Sequence, residues 1–215
     1  MHEPAARGAD AYTCRMFRSL TPAVLGLIIV NVVIFLFEQV APAPLILRFA
    51  LYPLGRHFHL WQIVTYAFLH ATWLHIFGNM FGLFIFGPAL EMYWGARRFL
   101  FYYLVCVIAA ALTEIAVLHA TGSHEPTIGA SGGVFGVLLA FAMLFPRARL
   151  LLLLPPIPMP AWLFVSLYGL LELFFGVTGT EPGIGHFAHL GGMLGGAIMM
   201  LYWRSRADRG GWRPR

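Results

Sequence analysis

The sequence contains no lysine, two cysteines and only nine acidic residues in 215. Charged residues make up 11% of it and hydrophobic ones 60%, where a soluble domain carries about a quarter charged residues. An ordinary soluble domain is therefore excluded. Cys14 lies in an arginine-bearing N-terminal stretch and Cys106 in an apolar run. Two cysteines so placed suggest neither a disulfide nor a zinc site. No internal repeat stands out, no Pro/Gly/Ser-rich linker divides the chain, and the length suits one domain. The first 20 residues lack the apolar core and cleavage site of a secretory signal. His2, Glu3 and Asp10 argue against a transit peptide, so residues 1–19 are read as a short cytosolic tail.

Long hydrophobic runs are present in number. They fall at roughly 20–41, 62–90, 98–118, 131–146, 159–177 and 186–203, which predicts a polytopic all-α membrane protein with six spans. The membrane domain is taken as 20–204 and a basic cytosolic tail as 205–215. All 14 basic residues are arginines. Arg7, Arg15 and Arg18 precede span one, and Arg97 and Arg98 separate spans two and three. Arg147 and Arg149 separate spans four and five, and Arg204, Arg206, Arg209, Arg213 and Arg215 follow span six. Only Arg48 and Arg56 fall on the other side. The positive-inside rule then puts both termini in the cytosol. It also explains a pI of 9.6 without a nucleic-acid partner. The segment between spans one and two carries prolines and histidines and is expected to lie in or on the outer leaflet rather than to cross. A seventh, broken span is the alternative.

Three polar groups share one depth. Ser131 lies 16 residues before Arg147, about 24 Å of helix against a hydrocarbon core of about 30 Å. His189 lies 15 residues before Arg204 and His75 16 before Glu91, again about 22–24 Å. Asn79 is one turn below His75 on the same face. Ionisable groups inside a membrane are costly and usually face the bundle interior or a water-filled cavity. Gly191–Gly195 and Gly192–Gly196 form overlapping GxxxG pairs, and Gly129, Gly132, Gly133 and Gly136 crowd the start of span four. Small residues let membrane helices approach closely, so spans four and six can bring Ser131 to His189.

A serine hydroxyl is a weak nucleophile until a base takes its proton, and neutral histidine is the usual base. Ser131 and His189 form a candidate dyad. No aspartate lies in spans four or six to complete a triad. Phe135, one turn beyond Ser131, can stack on the imidazole. Oxyanion donors are available from the backbone N–H of Ser131 at a helix start and from the side chains of His75 and Asn79. Together these parts specify acyl transfer, most simply peptide hydrolysis.

GASG at 129–132, HATWLHIFGN at 70–79 and AHLGGMLGG at 188–196 resemble the signature motifs of the rhomboid family of intramembrane serine proteases. The resemblance runs from about 60 to 203. It implies a six-helix core, Ser131 as nucleophile, His189 as general base, and an oxyanion site shaped by Ser131, His75, Asn79 and Gly129. It implies no metal or cofactor. It also implies single-pass membrane proteins as substrates, cut in or near a transmembrane segment. His70 matches a family histidine near the outer end of span two, read as structural, as are His186, Gly192 and Gly196. There are departures. Trp61-Gln62 stands where many relatives have Trp-Arg, and Phe135 stands where some have tyrosine.

Other readings stay open at this point. Ser131 can be a plain N-cap, and His75 and Asn79 can be interhelical hydrogen-bonding residues. Glu114 and Glu172 are expected to make structural hydrogen bonds, with a proton relay as the alternative, and Glu91 to anchor the inner end of span two. A transporter or channel would also place histidines and glutamates in the membrane. An inactive rhomboid-like protein that binds membrane clients is the other rival. The short tails and arginine bias suggest a prokaryotic plasma membrane, with a mitochondrial one as the alternative. The sequence carries no signal for oligomeric state.

Overall fold

The computed structural model describes residues 20–151, 157–180 and 184–208. The tail at 1–19 and most of the tail at 205–215 lie outside the described residues. The long elements are α1 (Pro22–Val40), α4 (Trp73–Trp94), α5 (Ala96–Thr121), α6 (Ser131–Leu144), α7 (Ala161–Thr178) and α8 (His186–Asp208). Two short helices, α2 (Pro42–Phe49) and α3 (Gln62–Thr65), lie in the segment between α1 and α4, the first outer segment expected from the sequence. A two-stranded antiparallel ribbon, β1 (Arg149–Leu151) and β2 (Pro158–Pro160), joins α6 to α7.

Helices α1, α4, α5 and α7 are each long and apolar enough to cross a membrane, and α6 is a shorter apolar helix. The chain is an integral membrane protein. Its outward surface agrees: Ile29 and Phe37 on α1, Leu170 and Phe174 on α7, and Leu194 and Ile198 on α8 are all exposed, as lipid-facing side chains must be.

The second span begins later than expected. Residues 62–72 do not continue it: they form α3, a 3-10 turn at Tyr66–Phe68 and an extended link. The helix proper starts at Trp73, because Thr72 is its N-cap and its Oγ1 accepts from the backbone N–H of His75 at 3.1 Å. The run is apolar on both sides of the break, so periodicity gives no warning of it. The other boundaries agree to within about five residues. The longest helix between α1 and α4 is α2, whose eight residues are well short of the roughly 20 that a crossing needs.

Buried carboxylates tie the ends of these helices together. Glu91, near the end of α4, accepts at Oε1 from the backbone N–H of Ala23 at 2.9 Å. Its Oε2 accepts from Val24 N–H at 2.9 Å and from the Thr21 hydroxyl at 2.5 Å. A carboxylate there satisfies the open amides of α1 and complements its dipole. It does the work of a cap from 67 or more residues away. At the same end of the bundle Trp203 packs edge-on against Trp94 at 5.3 Å, with the Arg98 guanidinium over it. The described chain therefore enters and leaves at one end. At the other end, Glu38 of α1 accepts from the backbone N–H of His70 at 3.0 Å. Leu51 and Thr127 exchange two backbone hydrogen bonds, which fastens the first outer segment to the loop before Ser131.

Removal of the Glu91 carboxylate leaves the start of α1 uncapped in a buried setting. Glu91→Ala is expected to destabilise the fold by roughly 2 kcal/mol, read as a lower midpoint of unfolding in detergent, with Glu91→Gln intermediate.

Candidate active site

Helix α6 starts at Ser131 itself. The residue in the N-cap position is Ala130, and among the described residues no side chain is seen to cap this helix. The serine hydroxyl is engaged elsewhere: Ser131 Oγ lies 2.7 Å from His189 Nε2. The two residues meet because α6 and α8 touch backbone to backbone. A Cβ on Gly192 would overlap the carbonyl of Gly132, and a Cβ on Gly136 would come within 3.1 Å of the Gly192 carbonyl oxygen. Behind them, Gly196 of α8 lies against the Tyr102 hydroxyl and Cys106 of α5. The Tyr102 hydroxyl donates to the Gly136 carbonyl at 2.8 Å. Small residues thus replace side-chain packing along the seam.

The imidazole of His189 is held on two more sides. Phe135 stacks on it with ring centroids 4.3 Å apart and an interplanar angle of 8°. Tyr168 of α7 backs Phe135 at 4.9 Å. His189 Nδ1 is 2.8 Å from Glu172 Oε2, and the same oxygen is 2.7 Å from His186 Nδ1. His186, His189 and Glu172 are all buried. These three donor atoms lie within 4.8 Å of one another and could in principle hold a metal ion; the two hydrogen bonds already engage all three.

His75 and Asn79 come to the site from α4. Gly129 has a φ of +129°, a conformation that favours glycine. A Cβ there would lie 2.6 Å from His75 Nε2 and 3.6 Å from Ser131 Oγ. The imidazole and the hydroxyl therefore approach one another across a glycine that could not carry a side chain. Asn79 is buried, and its Nδ2 has no hydrogen-bond partner among the described residues. An orphaned buried donor costs about 1–3 kcal/mol. His70 precedes α4 rather than lying on it. It is 2% exposed and edge-on to His75 at 5.0 Å. Burial, with His75 beside it, holds its imidazole neutral and pushes its pKa down to about 3.

A cavity of 1480 Å³ opens over these groups. His75, Asn79, Gly129, Ser131 and His189 line it, together with Phe81 and Phe86 of α4 and Phe164 and Tyr168 of α7. Its lining joins the polar groups of the site to apolar side chains of both α4 and α7. Chemically, the arrangement offers a hydroxyl beside an imidazole nitrogen, a carboxylate behind that imidazole, and spare donors across a glycine.

A family profile described as Rhomboid domain matches residues 57–206. The chain belongs to the rhomboid family. This rhomboid is 35% identical over 149 residues to "Rhomboid protein 1, mitochondrial" of Saccharomyces cerevisiae, covering 66% of this chain and 41% of that protein. It is 30% identical over 206 residues to "RHOMBOID-like protein 12, mitochondrial" of Arabidopsis thaliana, covering 88% and 60%. It is 26% identical over 193 residues to "Rhomboid protease GlpG" of Photorhabdus laumondii, covering 88% and 64%. The chain spans less than two thirds of the length of each of these relatives. The family thus includes a named protease. The relatives carry mitochondrial, chloroplastic and bacterial names, which lend no support to a prokaryotic plasma membrane in particular.

The sequence motifs of this rhomboid missed Glu172. Spans four and six, which carry the pair, hold no aspartate; the carboxylate comes from α7, on a residue whose sequence context suggests only structural hydrogen bonding or a proton relay. Its one signal was a lone acidic residue in an otherwise apolar span.

The contact of Gly132 with Gly192 makes a sharp prediction. Gly192→Val should force α6 and α8 apart and destabilise the fold by about 3 kcal/mol or more, whereas Gly26→Val on α1, where no atom of the described residues lies within 4 Å of the added Cβ, should leave the unfolding midpoint nearly unchanged.

Proposed function

We propose that this rhomboid is an intramembrane serine endopeptidase, cleaving single-pass membrane proteins in or near their transmembrane segments. The observation that carries the reading is the 2.7 Å approach of Ser131 Oγ to His189 Nε2 at the floor of a cavity within the helix bundle. In this reading Ser131 is the nucleophile and His189 the general base. Oγ forms a bond to the scissile carbonyl carbon while its proton passes to His189 Nε2. The developing oxyanion is met by the backbone N–H of Ser131 and by His75 and Asn79, the last of which has a buried amide donor to spare. Collapse of the intermediate breaks the C–N bond, and His189 returns the proton to the leaving amine. Water then repeats the sequence on the acyl-enzyme.

The groove between α4 and α7 suits an extended stretch of apolar chain arriving from the bilayer. Substrate segments with small or helix-destabilising residues would unwind into it at least cost. We assign six crossings with both termini cytosolic. The arginine distribution supports this, and so does the shared end at which α1 begins and α8 finishes. A reporter fused after Arg215 that is active only in the cytosol should be active; activity of a reporter that works only outside would reverse the assignment.

Cleavage of a transmembrane model substrate in liposomes tests the activity. Wild type should cleave, and Ser131→Ala and His189→Ala should each lose about 10³-fold or more. Asn79→Ala should lose about 10²-fold. Wild-type protein that neither cleaves nor reacts with a fluorophosphonate would favour the rival reading, a client-binding relative without activity.

A further inference from the structure

Among the described residues four carboxylates lie buried in the long helices, and three serve as ties to backbone or hydroxyl groups. Glu38 holds the His70 amide, Glu91 the start of α1, and Glu114 the hydroxyl of Thr127. Glu172 differs. Its two donors are both imidazoles, His186 at 2.7 Å and His189 at 2.8 Å, and both meet one oxygen, Oε2. It is also carried by a helix with little else inside the protein, since the other buried residues of α7 are Ala161 and Val165. Glu172 sits between Gly169 and Gly176, both of which lie against α8. A helix that had only to be fastened would use small or apolar residues there, without the cost of desolvating a carboxylate.

The geometry points to Glu172 as a positioning residue for the Ser131–His189 pair, completing a triad with His186 as the second anchor of the carboxylate. This rests on the proteolytic reading above. An ionised carboxylate can only accept hydrogen bonds. Glu172 therefore requires the proton of His189 on Nδ1, which leaves the Nε2 lone pair facing Ser131. When Oγ attacks, its proton passes to Nε2 and the carbonyl π pair moves onto oxygen. The imidazolium so formed has a counter-charge 2.8 Å behind it. The proton then leaves from Nε2 to the amine nitrogen as the C–N bond breaks. Glu172 exchanges no proton and stays ionised throughout. His186 donates from its own Nδ1 to the same oxygen, so the carboxylate cannot rotate away from His189 without losing that bond. The buried Nε2 of His186 has no hydrogen-bond partner among the described residues; as a lone pair it costs less than an N–H would in that place.

Full-length Glu172→Gln and Glu172→Asp test this with two readouts. The first is kcat and KM on a transmembrane model substrate. The second is nitrogen NMR of labelled histidine side chains in substrate-free protein, which reports the tautomer of His189 whether or not anything is cleaved. Glu172→Gln should unfold near the wild-type midpoint, with kcat reduced about 10²–10⁴-fold and KM within about threefold. Its amide can also donate to Nδ1, so His189 should lose its single Nδ1–H form. Glu172→Asp should recover part of both. A folded Glu172→Gln that keeps the wild-type tautomer, or keeps kcat within about threefold of wild type, overturns the proposal. If Glu172→Gln does not fold, Glu172→Asp decides by the same readouts: full wild-type kcat with an altered tautomer overturns it, and a parallel partial loss upholds it. If wild type cleaves nothing, the proteolytic reading fails. The tautomer in Glu172→Gln then still decides whether Glu172 positions His189.

Discussion

Gly132 and Gly192 bring the backbones of α6 and α8 so close that no Cβ fits between them, and much of the protein follows from that approach. In a bilayer there is little hydrophobic drive to join two apolar helices, so dispersion between closely packed backbones has to supply it. The approach also sets the distance between the first residue of α6 and the first turn of α8, and hence the reach of Ser131 to His189. The remaining glycines extend the seam: Gly133 takes the ring of Tyr103, Gly191 the side chain of Thr113, and Gly195 that of Ala109. α5 is thereby pressed against both helices from behind, and the pair cannot slide without losing contacts on all three.

Polar chemistry inside the bundle is arranged around the same rigid pair. Acidic side chains are rare in this chain, and the four buried in the long helices all have donors. Three of them stitch a loop or a helix start to a distant helix: Glu91 fastens one end of the bundle, and at the other Glu38, Glu114 and the Leu51–Thr127 pair join the segment between α1 and α4 to the loop before Ser131 in one connected rim. Tyr66 extends that rim inward. Its hydroxyl donates to the carbonyl of Val107 and its own carbonyl accepts from Gly129 N–H. Gly129 is thereby fixed from one side while His75 crowds it from the other.

Much of this was legible in the sequence because the bilayer acts as a ruler. Counting residues from Arg147, Arg204 and Glu91 puts Ser131, His189 and His75 at a common depth, and the GxxxG pairs indicate which helices can touch. The stacking of Phe135 on His189 followed from one turn of helix. The late start of α4 was not legible: the run from Gln62 to Trp73 is apolar enough to read as helix, and what ends it is the Thr72 cap and an extended Leu69. Nor was Glu172 legible as a neighbour of His189. Its two partners lie 14 and 17 residues away across a connection between helices, and no helical spacing links them. A hydrogen bond across two helices depends on how they lean, which periodicity does not record.

Helix α7 has two duties. It walls one side of the groove with Phe164 and Tyr168, and one turn beyond Tyr168 it delivers Glu172 to His189. In the proteolytic reading the position of α7 therefore sets more than the width of the groove: an outward displacement of about 1 Å would part Glu172 from His189, since a 2.8 Å hydrogen bond does not survive it.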